Sequence, residues 1–397
     1  MTSIPANLRA EPTRFSYARK RLLLGITGVG TVVLLALATL TFRLPARVLS
    51  TSAAQPAWAA IASVTLTFAA MIVALMQFDL IGGAWLVHRR VMPPAWLARW
   101  ARGAGVQLLV FAVSVTLLLS VARRAGAQSV MACTVAFVLL QLALATLRGR
   151  MARLVGAMRV VPAPPNLIAA ATSARLDASR ITCVDVDDEG YVGGWSGIGA
   201  RKLIVPLHWA SLSESALMAT LVRRRIIGES GAHTRGVIGA MVWNSIGFVA
   251  VLALTGATMA TAAGVVTAAA GMTLWAFLGV LVLPTPSRAA VVAVDLAAAA
   301  EVGELPMRMA IEQLDRWQDD EPVRPRAIET IFHPVPERSA RIARLVNARV
   351  GGRVRVTQAH HLARHALWLS WASLSPIARL VHCNVGRPAL WVMLPGD

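Results

Sequence analysis

Apolar residues in this chain gather in runs too long and too continuous for an ordinary soluble fold. Crossing a hydrocarbon core of about 30 Å takes roughly 20 residues of helix. Six runs approach or reach that length: Leu22–Phe42, Trp58–Phe78, Gly105–Ala122, Val130–Leu147, Val237–Thr255 and Ala260–Leu283. Between the fourth and fifth the pattern changes. Pro162-Ala163-Pro164-Pro165 reads as a linker, Leu167–Leu176 as a helix, and the alternation Ile181-Thr182-Cys183-Val184-Asp185-Val186 as a strand. A turn is expected at Asp187–Gly190, a second strand at Lys202–Leu207, and an amphipathic helix in Leu212–Glu229. After the sixth run, helices are expected at Ser287–Glu304, Leu305–Trp317 and Arg338–Ala348, with the acidic stretch Asp319-Asp320-Glu321-Pro322 between the last two.

The pattern implies a mainly α membrane protein of about six transmembrane helices, with an α+β polar domain interrupted by a transmembrane hairpin. Its expected parts are a basic tail (1–21), a four-span region (22–147), a polar segment (148–235), the hairpin (236–283), a second polar segment (284–350) and a tail rich in His and Trp (351–397). Composition agrees. Of the 397 residues 56% are hydrophobic and only 15% charged, against about 25% charged in soluble domains.

Charge then orients the runs. Arg9, Arg14, Arg19, Lys20 and Arg21 precede the first, Arg89, Arg90, Arg99 and Arg102 follow the second, and Arg148, Arg150, Arg153 and Arg159 follow the fourth. The opposite loops hold Arg43 and Arg47, then Arg123 and Arg124. The positive-inside rule places both termini in the cytoplasm of a cell whose inner membrane the chain crosses. The net charge of +19 follows these flanks, which points to anionic lipid headgroups as partners rather than nucleic acid. A transporter would also cross six times, but the runs show no buried charge and no repeated half; Asn244 is their one conspicuous polar group.

Three cysteines, Cys133, Cys183 and Cys383, make no disulfide framework. The glycine-rich run Gly190–Gly199 lacks the Gly-Lys-Ser/Thr of a phosphate loop and leads into a strand, so a hairpin is expected. In the tail, His361 and His365 stand four apart, the spacing that puts two ligands on one helix face. The competing expectation is an amphipathic tail helix lying at the membrane surface or packed on the domain.

The stretch Leu212–Glu229, LSESALMATLVRRRIIGE, resembles the active-site helix of the HtpX-type and CAAX-prenyl-type membrane zinc metallopeptidases, L-S-x-x-E-L-x-A-V-L-A-H-E-x-x-H. On this frame Arg223 stands at the first zinc histidine, Arg224 at the catalytic glutamate and Ile227 at the second histidine. The family's third ligand is the glutamate of E-x-x-A-D; here Val291 holds that place and Asp295 survives. His333-Pro334 and Arg341-Ile342-Ala343-Arg344-Leu345 resemble the family's later H-P-P-x-E-E-R-I-x-x-L, with wider spacing. The resemblance covers about residues 163–345 and no more. It implies a gluzincin-like domain with a small sheet whose edge, near Gly193, Gly194 and Trp195, takes peptide by strand addition.

It also implies a lost chemistry. Isoleucine and valine carry no donor atom, and arginine keeps its proton and offers no lone pair. The expectation is a noncatalytic pseudopeptidase without cofactor, binding membrane-protein clients or regulating an active protease. Its rival is an active zinc endopeptidase with displaced ligands, drawn from Glu229 and His233 on a continuing helix, His333, or the tail histidines His360, His361 and His365. At the vacated site, either Arg223 or Arg224 turns inward to pair with Asp295, or Arg223–Arg225 form a solvated or lipid-facing basic helix end.

Overall fold

A computed structural model of the chain describes residues 17–86, 93–188, 190–199, 201–318, 324–348 and 355–392. The acidic stretch at 319–322, the arginines at positions 9, 14, 89 and 90, and part of the Asp187–Gly190 turn lie outside them.

The first half is helical: α1 (Tyr17–Thr41), a short α2 (Leu44–Val48), α3 (Ala57–Ala74), α4 (Met76–Leu80) passing into a π-turn at Ile81–Trp85, α5 (Pro93–Ala125) and α6 (Ser129–Leu154). Then come β1 (Arg159–Val160), α7 (Pro165–Ser173), β2 (Ile181–Asp185), β3 (Gly194–Ser196), β4 (Lys202–Pro206) and α8 (Glu214–Glu229). Two long helices follow, α9 (Ala232–Thr255) and α10 (Ala262–Val282). The remainder is α11 (Pro284–Val302), α12 (Glu304–Gln318), α13 (Arg326–Phe332), α14 (Arg338–Asn347), α15 (Leu362–Leu369), α16 (Ile377–Leu380) and α17 (Pro388–Val392).

Five helical stretches are long and apolar enough to cross a membrane: Ala18–Thr41, Ala57–Trp85, Pro94–Leu154, Ala232–Thr255 and Ala262–Val282. The third, of 61 residues, holds both the third and fourth apolar runs. It turns at Gly126, whose φ of +52° starts a tight 3₁₀ turn, and α5 and α6 pack along each other. The second stretch runs beyond Phe78, where the apolar run ends, to Trp85, and in that extension it takes up a charge that the runs themselves lack. Asp79 is fully buried there.

The sheet has the order β1-β2-β4-β3, with β2 and β4 parallel and the outer pairs antiparallel. Its hairpin partner is β3 with β4, so the glycine-rich run is a turn and strand, as expected. Strand alternation sends Cys183, Leu203, Val205 and Trp195 into a core shared with α7, α8, α11 and α12. A second core joins α3, α5, α6, α9 and α10 to the residues after Leu362. The tail is thus no surface helix: Trp371, Ile377, Arg379 and Trp391 are fully buried.

The start of α8 is fixed by Ser213, whose hydroxyl accepts from the Ala216 amide at 3.3 Å. Its end is fixed by Gly231 at φ +70°, a left-handed position that suits glycine. That break separates α8 from α9 and corrects the expectation that Glu229 and His233 share one continuing helix. Glu229 points outward and His233 is buried.

Candidate functional site

All three arginines of α8 are buried, so they form no solvated or lipid-facing helix end. Arg223 Nε donates to Asp295 Oδ1 at 2.7 Å. Arg341, on α14, completes the cluster with Nε on Oδ2 at 2.7 Å and Nη2 on Oδ1 at 2.9 Å. The two-pronged geometry is the strong form of a guanidinium–carboxylate bond. Asp295 therefore ties α8, α11 and α14 together. Burial opposes its charge, yet the Arg341 and Arg223 guanidinia prevail and hold the carboxyl below its ordinary range. One turn earlier Val291 is fully buried and offers no donor. Of the two expected candidates, Arg223 and Arg224, Arg223 is the partner, and Arg341 joins from 46 residues along the chain.

Arg224 turns the other way. Its Nη2 donates to the Val192 carbonyl at 3.0 Å, its guanidinium lies 5.5 Å from the Trp209 ring, and its own carbonyl accepts from Trp195 Nε1 at 2.6 Å. Arg225 pairs with Glu301 and, at 3.8 Å, with Glu229.

Beside Arg224 and Ile227 lies a cavity of about 20 Å³, walled on one side by Gly193, Gly194 and Trp195. Across from them stand His233, His360, His361 and His365, with Arg148 of α6 and Tyr191. The tail reaches this place because Arg235 holds it: Nη2 donates to the Val356 carbonyl at 2.8 Å, and the His360 amide bonds the Ala232 carbonyl at 3.0 Å. No sequence spacing signals this convergence, since His233 and His360 belong to distant segments. Burial, helped by the neighbouring His233, His361, Arg148 and His360, pushes the His365 pKa well below its ordinary value. Its Nε2 has no hydrogen-bond partner among the described residues. Burial likewise raises the Tyr191 pKa, against the pull of Arg148 and Arg224.

The expected peptide edge is engaged from within. Arg148 Nη2 donates to the Trp195 carbonyl at 3.1 Å, and His233 Nε2 lies 2.8 Å from the Gly197 carbonyl. The Arg148 guanidinium also lies 5.8 Å from the Trp368 ring.

A zinc ion does not fit the positions that the resemblance names, because Arg223, Arg224, Ile227 and Val291 supply no lone pair. His361 and His365 do not share a helix face: His361 caps α15 from a left-handed backbone at φ +57°, and the rings lie 6.4 Å apart. Two imidazoles on one tetrahedral ion sit with centroids about 5 Å apart, given nitrogen–zinc bonds of about 2.0–2.1 Å. Among the described residues no three His, Cys, Asp or Glu side chains are placed to hold a metal. His333 lies elsewhere, packed against His382. Asn244 is spent on structure, its Nδ2 donating to the Ala366 carbonyl at 3.0 Å.

The chain matches no model of a known protein family, and no curated protein matches its sequence.

Proposed function

We propose that this chain is an integral membrane pseudopeptidase: a noncatalytic relative in kind of HtpX-type zinc peptidases that binds membrane-protein segments or regulates an active membrane protease. The observation that carries this reading is the Asp295 cluster. The helix bearing Arg223 and the helix bearing the surviving aspartate are held by charge-assisted hydrogen bonds at 2.7–2.9 Å, so the pair of helices keeps its packing with no metal. The reading places the sheet, α8 and α11–α14 in the cytoplasm, with both termini on that side, as the flanking arginines favour.

Client recognition on this reading uses the groove beside β3. Since the Trp195 and Gly197 carbonyls are already bonded to Arg148 and His233, an added strand has to displace those side chains, and binding is gated rather than open.

The rival reading, a zinc endopeptidase with displaced ligands, draws on the four histidines around Arg224 and Ile227. One measurement separates the two. Detergent-purified chain, washed with a mild chelator, is assayed for zinc alongside a variant with His360, His361 and His365 changed to alanine. The pseudopeptidase reading expects substoichiometric zinc in both and no hydrolysis of membrane-protein substrates. One tightly held zinc per chain and hydrolysis of a membrane-protein substrate, both lost in the variant, establish the rival.

A further inference from the structure

The exposed face of α6 changes character along its length in a fixed order. Met131, Val135, Leu139 and Leu142 recur at helical spacing and are exposed, from 65% at Met131 to 37% at Leu142. The same face continues through Thr146 to Arg150 and Arg153. Met131 to Leu142 covers about 16 Å at 1.5 Å per residue, the depth of one leaflet of a hydrocarbon core of about 30 Å. Apolar chain, hydroxyl and cations thus follow one another as acyl chain, ester and phosphate do in a glycerophospholipid.

The basic end of this stripe is not a bare helix tip. It forms one wall of a groove of about 480 Å³ whose other wall is the second face of the sheet. Register builds that face: Thr182 pairs with Ile204, and Ser196 with Lys202, so their side chains point together, away from the core that takes Cys183, Leu203 and Trp195. The groove therefore presents Arg150, Arg153 and Lys202 beside Thr182 and Ser196, while the Thr146 hydroxyl donates within its own helix, to the Leu142 and Ala143 carbonyls. No acidic side chain lines it among the described residues, and the three cations have no carboxylate partner there.

We infer that this groove is a binding site for an anionic glycerophospholipid, its phosphate held between Arg150, Arg153 and Lys202 and one acyl chain lying along the α6 stripe. Three cations converging on one place give the charge complementarity, and the stripe supplies what a free phosphate does not use. The site is separate from the histidine-lined cavity and does not depend on the pseudopeptidase reading.

The test is native mass spectrometry of the full chain in detergent, titrated with dioleoyl phosphatidylglycerol, with dioleoyl phosphatidylcholine, and with inorganic phosphate. The expected result is retention of phosphatidylglycerol at least tenfold tighter than phosphatidylcholine. The triple variant R150A/R153A/K202A should lose roughly fivefold in phosphatidylglycerol affinity per cation. A control triple, R316A/R326A/R344A, carries the same loss of net charge from exposed positions on α12, α13 and α14 and should bind as the parent does. Should the groove triple fail to fold, the single variant K202E on the exposed side of β4 is read instead and should weaken phosphatidylglycerol alone. Equal affinity for both lipids, equal losses in the two triples, or displacement of the lipid by millimolar inorganic phosphate each overturns the proposal.

Discussion

Asp295 carries one negative charge between two buried guanidinia, with Arg223 and Arg341 respectively 1% and 7% exposed. Removing it leaves two cations facing each other out of water, the costly half of a broken ion pair. The variant D295A is expected to lose about 3–5 kcal/mol of unfolding free energy, read by denaturant or thermal unfolding in detergent; a loss under 1 kcal/mol would show the cluster to be incidental. The pH dependence has a definite sign. Because the folded carboxyl titrates below its unfolded value of about 3.9, its contribution is complete above that pH and disappears as pH falls through the folded pKa. The gap between parent and D295A should therefore narrow only in strong acid. At this scale the sequence was informative where chemistry was conspicuous. The resemblance set Asp295 opposite the α8 arginines, which made Arg223 or Arg224 its expected partner. Arg341 gave no such signal, because an arginine in a short amphipathic helix reads equally as a solvated face.

At the scale of elements, the periodic patterns were legible and the joints less so. Alternation located β2 and β4, and apolar runs located the long helices, but the two residues of β1 are too few to show a period. The break at Gly231 did carry a signal, the pair Ser230-Gly231 that commonly ends a helix, and it decides the site, since it rotates His233 inward and Glu229 outward. The tail depends on a second glycine. A Cβ at Gly236 would meet the His360 carbonyl oxygen at 1.9 Å, so the approach of the tail to α9 requires glycine there. The variant G236A is expected to be destabilised by about 1–3 kcal/mol through overpacking and to raise hydrogen exchange at residues 355–361. Unchanged exchange in that segment would mean that the tail is held by other contacts.

At the scale of the whole molecule, the last 25 described residues pack among the first helices. Arg379 pairs with Asp79 of the second membrane-length stretch, both fully buried. The same carboxylate accepts from Trp100 Nε1 at 3.1 Å and from the Gly386 amide at 3.2 Å, while Arg379 Nη1 donates to Gln107 at 3.2 Å. Its guanidinium also lies 4.3 Å from the Trp391 ring. Single replacement, R379A, is expected to cost about 3–5 kcal/mol by stranding Asp79. The double variant D79L/R379M should recover most of that loss, because a buried pair exchanged for apolar side chains of similar size is often neutral. Thermal unfolding of the three proteins in one detergent checks both statements, and a double variant no better than the single would assign the loss to packing and to the Trp100, Gln107 and Gly386 hydrogen bonds rather than to the ion pair. None of this contact was legible in the sequence. Asp79 follows its apolar run by one residue and reads as a boundary, and a tail arginine 300 positions later carries no mark of its partner.

That separation sets an order of events during synthesis. At roughly 5–20 residues per second, the 300 positions between Asp79 and Arg379 take about 15–60 s to be made. For that time the amino-terminal helices stand in the bilayer with a carboxylate, an indole and a glutamine side chain awaiting their cation. The Asp79 seam closes only once Arg379 has been made, so a ribosome that stalls before it leaves the first helices assembled around an open seam.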